Sequence, residues 1–302
     1  MEDTRSLSLQ HLMKDILPNL QTKPSYFLLE NVKGFYTSKT RELVLSKLKE
    51  NGYDTRELLL SPSHFDFPNQ RLRCFLLAKK APLKFASEPC MHSALFSAVL
   101  KSSLETKAEA EKEKEKEKES EAKKSENEKK EKDEKVFCSE KKGDDVKDDA
   151  IKLPSCTAPD CLVCHLGSNL RDFLEPDTPE LEARYSVPEK LVLAHGLKFD
   201  IVSRDSDRSC CFTKSYSRLM EGAGSVIKCV DENSVGITDP KELLKLKLRF
   251  FTPTEIARLH GFPPHFSFPD TVTDRQRYNL LGNSLNCVVL SHLMQYLFDD
   301  SV

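Results

Sequence analysis

No apolar run in this chain approaches the roughly 18–20 residues that a membrane-crossing helix needs, which argues against an integral membrane protein. The opening Met1-Glu2-Asp3-Thr4-Arg5 lacks the basic-then-apolar order of a secretory signal. An excess of one charge is missing too. The 46 Lys+Arg stand against 48 Asp+Glu, a net charge of −2 over 302 residues, so no global basic field advertises a nucleic-acid partner. Ten cysteines without a signal read as free thiols in a reducing compartment. Cytoplasm, with the nucleus as a second location, is the expected setting.

What is present is unevenly distributed. Residues 104–149 hold 14 Lys and 18 Asp+Glu. Taking that net −4 out of the chain's −2 leaves +2 on the remainder, ordinary globular composition with a faint basic bias. Glu111 to Glu119 alternates Glu and Lys. On a helix this pairs like charges at i,i+4 and opposite charges at i,i+3, so the local electrostatics partly cancel. With so few apolar groups the tract cannot offset its ordering entropy. A disordered Lys/Glu-rich insert over 91–152 is therefore expected. It separates an α/β block (1–90) from a middle region (153–240) and a helical tail (241–302).

The first block carries strand and helix signals in alternation. Tyr26–Val32 is nearly continuously apolar, as in a strand of a parallel sheet covered on both faces. One amphipathic helix, about Ser6 to Leu20, precedes it. Ser38 is placed to cap a helix through about Glu50, with Leu43, Val44 and Leu48 inward and Gly52 as the stop. Glu57–Leu60 and Cys74–Ala78 read as two more strands, giving βαβ grammar. Only three strands are visible where a doubly wound sheet carries five or more. In the tail, Thr252-Pro253 with Glu255 forms a capping box; Ile256 and Leu259 face inward, and Gly261 ends the helix. A last helix is expected from Ser284 to Phe298, with Val288, Val289, Leu293 and Leu297 inward.

Three groups of residues bear on chemistry. Cys156, Cys161, Cys164 and His165 have zinc-like spacing, but an adjacent Cys and His rarely reach one ion and no second pair lies nearby, so no metal is expected. Glu30 ends a strand where α/β folds place ligands, although a surface strand-end glutamate has the same signature. Arg71 and Arg73 flank Leu72 and share a face at strand spacing, so two guanidiniums point the same way.

The order of the motifs says more. Glu30-Asn31-Val32, Pro68-Asn69-Gln70-Arg71-Leu72-Arg73, Phe251-Thr252-Pro253 through His260-Gly261-Phe262-Pro263, Gln276-Arg277-Tyr278 and Gly282-Asn283-Ser284-Leu285 follow one another. This series resembles the later motifs of the cytosine-C5 methyltransferases, and Cys211-Phe212-Thr213 resembles the hallmark of their tRNA-modifying branch. The resemblance covers about residues 4–85 and 165–300. It implies a Rossmann-like S-adenosylmethionine methyltransferase sheet, here incomplete, with a smaller target-recognition domain at 153–240. It implies a monomer with tRNA, probed at a cytosine of tRNA-aspartate, as substrate. By the same resemblance Glu30 would hydrogen-bond the cytosine, and Arg73, with Arg71 beside it, would hold its O2. Asn283 and Ser284 would border the cofactor, and Cys211, Phe212, Thr213 and Lys214 would face RNA. Asn69 departs from the glutamine usual at its position.

The family's Phe-x-Gly-x-Gly turn and its Pro-Pro-Cys-Gln nucleophile loop have no match in the chain. Gly222 and Gly224 lie in the recognition region. Cys90 follows a proline but has the wrong neighbours, and Cys211 belongs to the recognition segment, so neither reads as the nucleophile. The chain resembles the C-terminal two-thirds of a family enzyme, and it is expected to be marginally stable and catalytically silent, retaining at most RNA binding.

Overall fold

The computed structural model describes residues 6–85, 169–219, 221–230, 232, 234 and 236–298. The charged tract, Cys90 and the Cys156–His165 group lie outside the described residues.

The first helix, α1 (Leu7–His11), continues as a π turn over Leu12–Ile16 and a 3-10 turn over Leu17–Asn19. The amphipathic segment is thus helical throughout, but not one regular helix. Strands β1 (Tyr26–Val32), β2 (Tyr53–Leu60) and β3 (Arg73–Lys80) form one sheet in the order β1-β3-β2. Helix α2 (Lys39–Glu50) links β1 to β2, and the Ser38 hydroxyl accepts from the Arg41 N–H, as the sequence predicts.

The parallel sheet expected from the strand signals is corrected by the pairing. β3 is antiparallel to both neighbours, with Glu30 opposite Phe75 and Leu60 opposite Arg73. The β1-α2-β2 crossover leaves one strand position open, and β3 folds back from β2 to fill it. A return within a hairpin can only be antiparallel, because parallel pairing needs a crossover. Glu30 accordingly lies inside β1, not at the end of a parallel strand.

β3 is the partition between two cores. Cys74, Leu76 and Ala78 face one, packed with Met13, Leu17, Phe35, Tyr36, Val44, Leu48 and Tyr53. Phe75 and Leu77 face the other, which also takes in Leu58, Leu60, Phe85 and residues from Leu170 to Leu297. The strand's period of two assigns each side chain to its core. Arg41 pins α2 to β2 through a bidentate pair with buried Glu57, at 2.6 and 2.7 Å.

The second part contains α3 (Pro179–Tyr185), α4 (Glu189–His195), β4 (Ile201–Val202), β5 (Val226–Lys228), α5 (Pro240–Leu243) and β6 (Leu248–Phe250). β5 pairs parallel with β4 and antiparallel with β6. Then follow α6 (Pro253–Leu259), α7 (Asp274–Gly282) and α8 (Cys287–Phe298). The Thr252–Glu255 capping box forms as its spacing predicts. α7 has its own capping box from Thr273 and Gln276, which the sequence reading missed. Its apolar stripe is thin, with only Tyr278 and Leu281 buried, so periodicity gave little signal. No helix among the described residues is long and apolar enough to cross a membrane.

Candidate active site

Three distant segments meet where β1 and β3 carry Glu30 and Arg73. The first is the loop into β3. Asn69 is fully buried and donates to Ser209 Oγ (3.2 Å) and to the Cys210 carbonyl (3.1 Å). Ser209 Oγ donates to the Pro68 carbonyl at 2.6 Å, and the Gln70 N–H donates to the Ser209 carbonyl at 2.8 Å. These bonds zip residues 68–70 to residues 209–210. Ser209 had no sequence signal, since its role depends on a contact across more than 130 residues.

Arg71 is the hub. Its guanidinium donates to Cys211 Sγ (3.3 Å) and to the carbonyls of Phe212 (3.4 Å), Gly282 (3.3 Å) and Ser284 (2.6 Å). Burial holds this guanidinium below its ordinary pKa, and the Arg73 charge adds to the effect. With its fork spent on two distant chain segments, 211–212 and 282–284, Arg71 is a positioning residue. Arg73 is the freer of the two. Its Nε lies 3.1 Å from Glu30 Oε1, Nη2 donates to Cys211 Sγ at 3.6 Å, and both it and Glu30 are half-buried. The expected convergence of Glu30, Arg71 and Arg73 is present in the geometry, and Cys211 joins it.

The other sequence-selected residues divide. Phe212 does not line a cleft: it is buried, edge-on to Tyr216 and Phe251 at 5.0 and 5.1 Å between ring centroids. A phenyl ring among three aromatics belongs to the core. The Thr213 N–H donates to the Ala223 carbonyl, and Lys214 is exposed. Asn283 is exposed, with its amide in one long contact to Asn279 (3.4 Å). Ser284 commits its hydroxyl to the Leu281 carbonyl at 2.7 Å.

A narrow pocket opens beside this cluster, lined by Leu60, Pro62, Arg71, Arg73, Phe75, Leu285, Asn286 and Val289. Its polar groups are the two arginines and Asn286, set in an apolar wall. His260 is fully buried and has neither ring nitrogen hydrogen-bonded. Burial, reinforced by the charges of Arg71 and Arg73, pushes its imidazole down to about 3, so it is uncharged at neutral pH. The sequence placed His260 in a motif without giving it this role.

A sheet-based α/β core, a loop carrying paired arginines against a strand glutamate, and a closing helix pair make up the site. The match to the family model described as C-5 cytosine-specific DNA methylase runs over residues 1–299. The chain belongs to the C-5 cytosine methyltransferase family.

Among its relatives, the human tRNA (cytosine(38)-C(5))-methyltransferase is 37% identical, with 99% of this chain and 77% of that protein covered. A protein from Dictyostelium discoideum, described as a DNA (cytosine-5)-methyltransferase, is 38% identical over 98% of this chain and 71% of its own length. Among solved structures, the Entamoeba histolytica methyltransferase EhMeth superposes with a TM-score of 0.68 at 30% identity, covering 99% of this chain and 70% of its own.

Proposed function

We propose that this protein's site is of the kind that serves methyl transfer from S-adenosylmethionine to C5 of a cytosine in tRNA, with the anticodon loop of tRNA-aspartate as the substrate it recognises. The observation that supports the reading is the Glu30–Arg73 pair at 3.1 Å, half-buried beside a pocket that also presents Arg71 and Asn286. A carboxyl group and a guanidinium side by side match the edge of a cytosine, whose N3 and N4 meet Glu30 and whose O2 meets Arg73. In the family's reaction a cysteine thiolate attacks C6 and sends electron density toward O2 and N3; the 302 residues contain no match to the loop that carries that cysteine. Arg73 meets that charge with a fixed cation, and Glu30 holds the ring edge. Arg71, braced by four acceptors, fixes the loop that presents Arg73.

S-adenosylmethionine supplies the methyl group. Of the residues that the resemblance assigns to it, Asn283 at the α7–α8 junction is exposed with its amide in one long contact to Asn279, and the narrow pocket beyond Leu285 does not include it. Ser284 is committed within the protein: its hydroxyl and N–H go to the Leu281 carbonyl and its carbonyl accepts from Arg71.

The test is transfer of labelled methyl to unmodified tRNA-aspartate. With the family's nucleophile loop unmatched in the 302 residues, background incorporation by the wild type is the expected result; incorporation above background that falls about 10²–10³-fold in Glu30→Gln and Arg73→Gln would overturn that expectation. A second reading, RNA binding without methyl transfer, is favoured by one fact: the 302 residues contain no Pro-Pro-Cys. Retained binding without incorporation, from a folded chain, would select it. That binding should weaken steeply with salt, as phosphate contacts do, through cations such as Lys214, Arg218 and Lys228.

A further inference from the structure

Cys210 and Cys211 are adjacent in sequence and comparably half-buried, yet their surroundings are opposite. Cys210 faces Asp200. Burial first, and then the Asp200 carboxylate, pushes its thiol up to about 11. Cys211 points the other way, into two guanidiniums: Arg71 Nη1 at 3.3 Å and Arg73 Nη2 at 3.6 Å.

The charges around Cys211 do not balance. Arg71 and Arg73 arrive from the start of β3. Glu30 on β1 is the carboxylate of the cluster, and it is bonded to Arg73. His260, at the end of α6, is buried and uncharged at neutral pH. Arg71 is only 6% exposed, hydrogen-bonds no carboxylate among the described residues, and leaves its buried Nε without a partner. A buried cation is therefore short of an anion, and the nearest group able to carry negative charge is the Cys211 sulfur. Burying a charge without a partner is costly, so the cluster favours any chemistry that develops negative charge at that point.

We propose that Cys211 is an oxidation site of this protein, reactive toward hydroperoxides. The sulfur attacks the distal oxygen of the hydroperoxide and the O–O bond breaks. Cysteine sulfenic acid forms, and water or an alcohol leaves with the thiol's proton. The two guanidiniums stabilise charge on the attacking sulfur and on the departing oxygen. The added oxygen lies against Arg73 and competes with Glu30 for it. Cys210, beside a carboxylate, has the reverse electrostatics and is spared.

The experiment exposes the 302-residue chain to hydrogen peroxide at neutral pH with dimedone as the sulfenic-acid trap, followed by trypsin. Cleavage after Arg208 and Lys214 releases both thiols in one peptide, Ser209–Lys214, and fragment ions separate them. At least tenfold more adduct on Cys211 than on Cys210 is expected, and more than on Cys229 or Cys287. Arg73→Gln should lower the Cys211 adduct at least threefold, while Arg73→Lys, which keeps the charge, should restore most of it. Equal adducts on Cys210 and Cys211 would overturn the proposal, as would a Cys211 adduct indifferent to Arg73→Gln in a folded chain. The wild-type ratio stands independently of either variant.

Discussion

Two buried groups dominate the energetics of single residues. Arg249 and Glu255 are 1% and 0% exposed at the side chain and form a bidentate pair, with Glu255 also accepting from the backbone of Thr252 and Glu175. Removing one partner strands the other's charge, so Glu255→Ala should cost about 3–5 kcal/mol. Replacing both, as in Arg249→Met with Glu255→Leu, should recover much of that in a urea titration. His260 gives the pH dependence. Its folded-state pKa lies near 3, below that of an unfolded histidine, so the unfolded chain binds the proton more readily. The neutral-imidazole contribution is complete above about pH 6.5 and declines as the pH falls toward 3. A His260→Gln variant should lose less stability than wild type between pH 6.5 and 4, read as the change in Tm with pH.

At the scale of elements, the end of α7 is seated against backbone, not side chains. A Cβ on Gly282 would lie 2.1 Å from the Lys214 nitrogen and 2.3 Å from the Thr213 carbonyl carbon. No rotamer relieves such an overlap, so Gly282→Ala should push α7 off the Cys211–Lys214 segment. It should cost about 3 kcal/mol or more, at the large end for single substitutions, and it should abolish the Arg71 bonds to residues 282 and 284. Ser38→Ala tests a milder device. Loss of the cap on α2 should cost about 1 kcal/mol, measured by the same denaturation. These elements differ in how far the sequence revealed them. Ser38 and the Thr252–Glu255 box were legible because capping is local and its residues lie three apart. The insertion of β3 between β1 and β2 was not, since pairing order is decided by contacts outside any window. Glu30, Arg71 and Arg73 could be selected from motif order. The seating of Cys211 on Arg71, across 140 positions, could not, and neither could the closeness of Gly282 to Thr213.

For the molecule as a whole, β3 decides how damage spreads. Its odd-numbered side chains from Phe75 belong to one core and its even-numbered ones from Cys74 to the other. Leu76→Ala and Leu77→Ala, each fully buried, should both cost about 2–5 kcal/mol. Hydrogen exchange should tell them apart: Leu76→Ala should loosen α1 and α2, and Leu77→Ala should loosen α8 and the second part. Uniform loosening by both would show that the two cores unfold as one.

Phe85 and Leu170 are buried in the same core, one where the chain leaves it and the other where it returns. Both positions are fixed by packing, and for any flexible connection between two fixed anchors the cost to stability is the entropy of closing a ring. That entropy varies only with the logarithm of ring size, about 0.6 kcal/mol per doubling. Lengthening or shortening a flexible connection between these anchors should therefore change stability little, as a urea titration of length variants would show. By that measure the two anchors, Phe85 and Leu170, hold one core together from opposite ends of a long excursion of the chain.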